Sequence, residues 1–246
     1  MRIRKRLFVA PHLDDGAISF GGTLLADREK STGEIRTVVA TVFSRSNYTK
    51  KGLGDSAKVT PIRQTEERAV MDSINVATLF MDFPECPLRG YTISEPLDYP
   101  KSINPELDVG FVEKVAECLD KLLKDCDDVV IPLAVGDLAH VDHQIVRQAA
   151  TIAKISNPKV IFQVYEDVPY VSSEDRDRVG SLGGFRLEET AINLEAKLNL
   201  IRGYESQPIE AWEDFIRQAA GEPPVEIMWS TIRKNALDDL DGLTLA

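Results

Sequence analysis

Apolar residues along the chain form two alternating kinds of segment. Short, nearly continuous apolar runs occupy residues 6–11, 35–43, 128–134 and 159–165. Such runs are typical of strands that are buried on both faces of a parallel sheet. Elsewhere, apolar residues recur every three or four positions over longer stretches, which is typical of helices that pack one face against a sheet. The pattern therefore predicts an α/β protein in which strands alternate with helices.

Helix-capping residues, glycines and prolines mark the ends of the other predicted elements. We predict helices at residues 16–30, 61–73, 109–126, 142–156, 186–206 and 209–220, and further strands at 78–83 and 225–232. Residues 44–60 and the proline-rich stretch 84–105 lack a clear period, and long irregular segments usually lie near a binding cleft. The alternation implies three layers around a mostly parallel sheet with right-handed crossovers. With 246 residues, the chain is expected to form one domain over 1–246.

Charge and composition narrow the classes of partner and compartment. The chain has 40 acidic and 29 basic residues, whereas nucleic acids and anionic membranes bind basic surfaces. We therefore expect no nucleic-acid partner. No apolar run is long enough for a membrane span, and the run at 7–11 is too short for a signal-peptide core. The three cysteines include no C-x-x-C pair, so we expect a cytoplasmic protein without a disulfide framework.

All three histidines follow predicted strands. The first stands in P-H-L-D-D at residues 11–15, after the first strand, and the others stand in H-V-D-H at residues 140–143, after the strand at 128–134. Ligands of parallel α/β folds bind at the carboxyl ends of the strands. Taken singly, each cluster also fits a helix-capping aspartate beside polar loop histidines. Two such clusters at corresponding strand ends favour a metal site or an acid–base site.

The spacing of these residues predicts their roles. His12, Asp15 and His143 supply two imidazoles and one carboxylate, a catalytic zinc set with open positions for water or substrate. The same set is used by non-haem iron enzymes, so Fe²⁺ competes with Zn²⁺ as the expected ion. Asp14 is then placed to accept a proton from water, and a protonated His140 to stabilise an oxyanion or protonate a leaving amine. Asp142 is expected to orient His140 or a metal ligand.

The glycine pair at 21–22 has a structural interpretation. It lies inside the first predicted helix, where glycine permits a close approach of the helix to the sheet or of the backbone to a ligand. The turn before it does not contain G-x-G-x-x-G, so a dinucleotide site is unsupported.

The two clusters resemble a known family. Residues 11–24, P-H-L-D-D-G-A-I-S-F-G-G-T-L, resemble the P-H-x-D-D…G-G-x-L signature of the N-acetylglucosaminyl deacetylase (PIG-L/LmbE-like) family. Residues 140–143 resemble its second signature, H-x-D-H. The stretches around Arg63, at 165–170 (Y-E-D-V-P-Y) and at 197–207 also look similar, so the resemblance covers most of the chain.

The resemblance implies a fold, a reaction and residue roles. Members have a Rossmann-like fold and use zinc to remove acetyl or related acyl groups from amino-sugar derivatives. Carried over by position, His12, Asp15 and His143 hold the metal ion and Asp14 is the general base. The choice of Asp14 rather than Asp15 as the base rests on this resemblance. His140 is then the electrophilic or acid residue.

The identity of the substrate remains open from the sequence. Many members have Glu after the Asp pair, where this chain has Gly16. The candidate substrate contacts are Arg63, Glu166, Asp167 and Tyr170. The last three stand at a strand end, where they would contact the substrate or support the residues that do the chemistry, although the position also fits an ordinary turn. Arg63 also fits an ordinary helix pair with a glutamate four positions later.

Three functions are compatible with the sequence. The first is a zinc amidohydrolase acting on an N-acetylated sugar or glycoconjugate. The second is a non-catalytic metal- or carbohydrate-binding protein, and the third is a non-haem iron enzyme. Asp14, His140 and Asp142 favour the first, because a pure binder needs neither a base nor an acid. Trp212 and Trp229 are assigned to the core, and a homo-oligomer is compatible with the family.

Overall fold

The computed structural model describes residues 3–30, 35–93 and 99–244. The strands in these residues are β1 (Arg4–Ala10), β2 (Ile35–Thr41), β3 (Tyr48–Thr49), β4 (Gly52–Leu53), β5 (Ala77–Phe80), β6 (Asp128–Pro132), β7 (Ile161–Tyr165), β8 (Phe185–Ala191) and β9 (Val225–Thr231). The α-helices are α1 (Asp15–Lys30), α2 (Ser56–Ser73), α3 (Phe111–Leu123), α4 (Val141–Ser156), α5 (Ser173–Ser181), α6 (Leu194–Ile201), α7 (Ile209–Ala220) and α8 (Asp241–Thr244). Two short 3₁₀ turns lie at Cys86–Arg89 and Asp238–Leu240.

One sheet organises the fold. Its strand order is β5-β2-β1-β6-β7-β9-β8, and β3 and β4 form a separate hairpin. Pairing is parallel from β5 to β7, whereas β9 is antiparallel to both β7 and β8. Alternate residues of β1 enter different cores, with Leu7 and Val9 on the side of α3 and α4, and Phe8 and Ala10 on the side of α1 and α2. This confirms the three-layer α/β fold with a mostly parallel sheet.

The structure corrects the sequence prediction at one edge of the sheet. A single helix was expected over residues 186–206, but β8 occupies Phe185–Ala191 and α6 begins at Leu194. Asn193 caps α6 by accepting a hydrogen bond from the Ala196 N–H. Because β8 is largely exposed, it lacks the apolar run of a buried strand. Its conformation comes from pairing with β9 along its whole length.

Two other elements differ from the prediction. Helix α2 begins at Ser56 rather than Pro61, because Asp55 caps it by accepting a hydrogen bond from the N–H of the second helical residue. Helix α5 was not predicted, although a reciprocal capping box starts it. The stretch 84–105 is irregular as expected, apart from its 3₁₀ turn, and its residues 94–98 lie outside the described residues.

Helix α1 is interrupted near its middle. Phe20 has φ −134° and ψ 16°, which breaks the helical hydrogen-bond pattern. Glu226 on β9 accepts hydrogen bonds from the N–H groups of Gly22 at 2.9 Å and Thr23 at 2.6 Å. Lys197 on α6 lies 2.6 Å from the same carboxylate, and both charged side chains are buried. A long-range ion pair therefore replaces hydrogen bonds that α1 does not make within itself.

The glycine pair in α1 serves this close packing. A Cβ atom at Gly22 would lie 2.7 Å from Ile192 Cγ2, closer than carbon atoms normally approach. At Gly21 the nearest atom, Leu200 Cδ2, would be at an ordinary 3.4 Å. The close approach expected from the sequence is therefore required at Gly22 and not at Gly21.

The topology brings the candidate residues together. Strands β1, β6 and β7 are neighbours that run in one direction. Their carboxyl ends lie at one edge of the sheet, so the segments 11–15, 133–143 and 166–170 meet there. In the parts of the chain that are described, none of the helices has the length and apolar character required to cross a membrane. The thiols of Cys86, Cys118 and Cys126 are free, as expected without a disulfide framework.

Candidate metal centre and active site

The turn after β1 holds the first cluster in a strained backbone. Asp14 has φ 152°, a conformation that side-chain-bearing residues rarely adopt, and its N–H donates to the His12 carbonyl at 3.1 Å. Asp15 is the first residue of α1, and its Oδ2 accepts a hydrogen bond from the His12 N–H at 2.7 Å. Such strain persists only where surrounding contacts fix it, and it concentrates at functional sites. All three side chains line one cavity.

Two histidines and one carboxylate converge in this region. His12 Nδ1 lies 3.1 Å from Asp15 Oδ2, and His143 Nε2 lies 3.2 Å from the same oxygen. The second nitrogen of each ring contacts a buried outer carboxylate. His12 Nε2 lies 2.8 Å from Asp142 Oδ2, and His143 Nδ1 lies 2.9 Å from Asp167 Oδ2. An outer carboxylate of this kind fixes the ring orientation and takes the ring proton.

These contacts fit a bound cation. When the outer nitrogens donate, the lone pairs of His12 Nδ1 and His143 Nε2 face the Asp15 carboxylate, which is repulsive unless a proton or a cation lies between them. His143 Nε2 is buried and forms no hydrogen bond with any described residue. Two imidazoles and one carboxylate form the donor set of a catalytic zinc site and of a non-haem iron site.

The charges of the site support the same interpretation. Burial lowers the pKa of His143, but Asp15 and Asp167 outweigh this effect and raise it to about 9. For His12, burial is likewise outweighed by Asp15 and Asp142, which hold its pKa well above the ordinary value. Burial raises the pKa of Asp15, yet the two histidines hold it well below its usual range. Positive charge is therefore stabilised here, and a divalent cation would compete for the position with the ring protons.

His140 is placed as a hydrogen-bond donor rather than as a ligand. It is the N-cap of α4, where its Nδ1 accepts a hydrogen bond from the Asp142 N–H at 3.0 Å. The proton of the neutral ring then sits on Nε2, which is 3.8 Å from Cys86 Sγ. Burial and the positive charge of His12 lower the pKa of His140 well below its ordinary value. Positive charge at His12 thus disfavours the protonated form of His140 that the sequence predicted.

Two other groups bring potential ligand atoms within 4.8 Å of one another. These are the three histidines, and Cys86 with His140 and Asp142. Both groups require a nitrogen of His140 as a ligand. Its Nδ1 accepts the helix-capping hydrogen bond and its Nε2 then carries the proton, so neither group offers three free lone pairs at once. We therefore keep Asp15 as the predicted third ligand, with the other two histidines.

Asp14, the predicted base, contacts a buried guanidinium. Arg63 Nη2 donates at 3.0 Å both to Asp14 Oδ2 and to the Leu13 carbonyl. Its Nη1 donates to Glu85 and to the Ser46 hydroxyl. Burial raises the pKa of Asp14, and Arg63 offsets part of that increase, so the pKa is about 7. A carboxylate of this pKa suits proton transfer near neutral pH, and a neighbouring divalent cation would lower the pKa.

The placement of Arg63 changes its predicted role. The side chain lines the cavity but is only 3% exposed, and protein groups occupy its guanidinium. Glu67 does not pair with it through a hydrogen bond and instead accepts one from the Tyr204 hydroxyl at 2.6 Å. Arg63 is therefore better placed to position Asp14 than to contact a substrate.

The side chains of the motif at the end of β7 point in different directions. Glu166 accepts hydrogen bonds from Arg176 and from the Trp229 indole, and it does not line the cavity. Asp167 is fully buried and supports His143. Protein groups thus occupy both carboxylates, which favours a supporting role for Asp167 over a substrate contact and leaves Glu166 outside the cavity. Tyr170 does line the cavity, with its ring centroid 4.7 Å from that of His143.

Two residues of the irregular stretch 84–105 hold Asp142 in place beside the predicted metal ligands. Arg89 Nη2 lies 2.7 Å from Asp142 Oδ1, and Arg89 Nε donates to Asp108 at 2.8 Å. The Cys86 N–H donates to Asp142 Oδ2 at 3.0 Å. Asp142, expected to orient His140 or a metal ligand, therefore contacts His12 and is held by two donors of this stretch. No local pattern marked Arg89, because its partners are distant in sequence.

A cavity opens beside these residues and is lined by His12, Asp14, Asp15 and His140. A concave site with convergent polar groups is typical of a small-molecule site. The cavity is also lined by four aromatic residues that the sequence did not single out as functional: Tyr48, Tyr99, Trp212 and Phe215. The Tyr99 ring stacks on His140 with centroids 5.1 Å apart. Trp229, in contrast, lies away from the cavity as expected for a core residue.

Gly16 lies on the core side of α1. A Cβ atom there would lie 3.1 Å from Met71 Cε and 3.4 Å from Val39 Cγ1. Position 16 is therefore directed at the apolar core, and it does not line the cavity. Glycine in place of the common Glu at this position therefore affects how α1 packs on the core.

We expect Asp167→Asn to weaken zinc binding by roughly 10- to 100-fold, because the amide no longer accepts the His143 ring proton with full charge. Competition with a chromophoric chelator measures the affinity. Glu166→Gln is the matched control, since the neighbouring carboxylate contacts Arg176 instead. Equal zinc affinities of the two variants would contradict the assigned role of Asp167.

Comparison with known proteins places these features in context. Residues 7–154, more than half of the chain, match the family described as PIG-L, GlcNAc-PI de-N-acetylase. The chain is 30% identical over 182 residues to the 2'-N-acetylparomamine deacetylase of Streptomyces fradiae. That alignment covers 71% of this chain, and the chain spans 61% of the length of this curated relative.

Solved structures show the same fold. A deacetylase–teicoplanin complex from teicoplanin biosynthesis superposes with a TM-score of 0.72 at 23% identity, covering 93% of this chain and 98% of that chain. The N,N'-diacetylchitobiose deacetylase of Pyrococcus horikoshii superposes with a TM-score of 0.61 at 21% identity, covering 91% and 83%. The family match includes both histidine clusters at the sheet edge and confirms the resemblance seen in the sequence, so the chain belongs to the PIG-L family.

Proposed function

We propose that the chain is a zinc-dependent hydrolase that removes an N-acetyl or related acyl group from an amino-sugar or glycoconjugate, as one domain over residues 1–246. The observation that carries the proposal is the convergence of His12 Nδ1 and His143 Nε2 on Asp15 Oδ2 beside a buried Asp14. Family membership and the deacetylase names of the relatives support the reaction class.

The residues of the site divide the chemistry between them. His12, Asp15 and His143 would hold a zinc ion, which would supply Lewis acidity toward water and the amide carbonyl. Asp14 takes a proton from the attacking water at its carboxylate. The His140 Nε2–H donates a hydrogen bond to the carbonyl oxygen as negative charge develops on it. The C–N bond then breaks, and the proton held by Asp14 passes to the amine nitrogen, which leaves a carboxylic acid and a free amine.

The competing functions predict different behaviour. A metal- or carbohydrate-binding protein has no use for a buried base with a pKa of about 7 beside the donor atoms. An iron enzyme would use the same three ligands but would depend on ferrous iron and oxygen. The ligand set alone does not separate zinc from iron, so the test includes both ions.

The decisive experiment is acid release from a panel of N-acylated amino sugars by protein that has been stripped with a chelator and then reloaded. We expect release to disappear on stripping and to return with zinc in the absence of oxygen. Release that returns only with ferrous iron and oxygen would favour the iron enzyme. Zinc-loaded protein that binds the panel but releases no acid would favour the binding protein.

A further inference from the structure

One wall of the cavity is apolar. The apolar wall, as we call it, consists of Ile18, Val168, Trp212, Phe215 and Ile216. Ile18 and Ile216 are buried members of the core beneath α1, and Val168 and Trp212 pack against that core. Core packing therefore holds four of the five side chains of the wall in place.

The wall offers little to a polar ligand. Phe215 is 42% exposed although it is a large apolar residue. The side chains of Ile18, Val168 and Ile216 have no polar atoms. The Trp212 indole N–H is the only polar group among the five side chains of the wall. Hydroxyl groups directed at the wall would lose water and meet no hydrogen-bonding side-chain group other than this N–H, which is unfavourable.

The same cavity also has a polar lining. It includes Asp14, Arg63 and Glu85, together with Tyr48 on β3 and Gln207 in the segment after α6. Charged and apolar side chains thus line one cavity beside one reaction centre. A ligand that matches both surfaces has a polar part and an apolar part.

We propose that the substrate carries an alkyl or aryl group larger than the methyl of an acetyl group, and that this group packs on the apolar wall while the amide reaches the metal donors. The inference rests on the proposed function, which supplies the amide. The group belongs either to the acyl chain or to the aglycone of the amino sugar, since both sources present the same chemistry to the wall.

Two substrate series distinguish the sources. One series extends the acyl chain of N-acylglucosamine from acetyl to octanoyl, and the other extends the glycosidic alkyl chain of N-acetylglucosamine from methyl to octyl. Each methylene that is fully buried increases the affinity about fourfold, and each methylene on a half-exposed wall increases it about twofold. We expect kcat/KM to rise roughly tenfold over four methylenes in one of the series.

Substitutions in the apolar wall test whether the wall causes the rise of kcat/KM with chain length. Phe215→Ser is expected to flatten the dependence on chain length, whereas Phe215→Leu retains it. Ile155→Ser is the matched control, because Ile155 is 80% exposed on α4 and lies outside the cavity. Flat dependence in both series, or a gain that Phe215→Ser leaves intact, overturns the proposal. Acetate release with flat dependence would leave the proposed function standing and remove only this inference.

Binding provides a readout without turnover. Calorimetry on zinc-loaded Asp14→Asn compares N-hexanoylglucosamine and hexyl N-acetylglucosaminide with N-acetylglucosamine. We expect one of the two extended ligands to bind roughly tenfold more tightly. Equal dissociation constants for all three ligands overturn the proposal even if no substrate of either series is hydrolysed.

Discussion

Asp14→Asn is expected to lower kcat by about 10²–10⁴-fold while the protein still binds zinc. Asp14 lies next to the predicted ligand Asp15, and burial raises its pKa to about 7. Asn has nearly the same size but cannot accept a proton. The variant therefore removes the base and keeps the volume of the side chain. Steady-state kinetics measures the loss, and zinc content of the purified variant shows whether the metal centre survives.

The control addresses the second role of Asp14, which is its contact with Arg63 at 3.0 Å. Glu85→Gln removes another carboxylate from the same guanidinium without changing the residue next to the ligands. We expect Glu85→Gln to reduce kcat by less than about tenfold. A rate of Asp14→Asn equal to that of the wild type would exclude Asp14 as the base, and equal losses in both variants would assign the effect to Arg63.

Glu226→Ala is expected to lower the free energy of unfolding by about 3–5 kcal/mol. The substitution leaves Lys197 buried without its partner and removes the acceptor of the Gly22 and Thr23 N–H groups. A buried charge without a partner is strongly unfavourable, and two unsatisfied N–H groups add to the loss. Denaturant unfolding monitored by circular dichroism measures the effect.

Two comparisons separate the contributions to this loss. Glu195→Ala removes an exposed partner of Arg217 and is expected to cost less than about 1 kcal/mol. Adding Lys197→Met to Glu226→Ala removes the unpaired charge, so the double variant should be more stable than Glu226→Ala alone. A loss below about 1 kcal/mol for Glu226→Ala would mean that the interrupted α1 finds other partners.

Neighbouring residues show where sequence patterns stop being informative. Glu166 and Asp167 are adjacent in one motif, and the sequence offered both residues the same choice between substrate contact and support of the site. In the structure the first contacts Arg176 and the second contacts His143. Successive side chains at a strand end point in different directions, so the partner of each depends on which element packs against that side. No local signal distinguishes the two carboxylates.

The sequence by itself determined the layers of the fold, most element types and the two histidine clusters at one sheet edge. The hydrophobic period and the residue composition of a segment indicate which of its faces is buried, and neighbouring parallel strands place their carboxyl ends at the same edge of the sheet. Only the tertiary structure decided that Arg89 holds Asp142 against His12, that β8 is a strand, and that Trp212 lines the cavity. These features depend on contacts between residues far apart in the chain, and such contacts leave no periodic or local trace in the sequence.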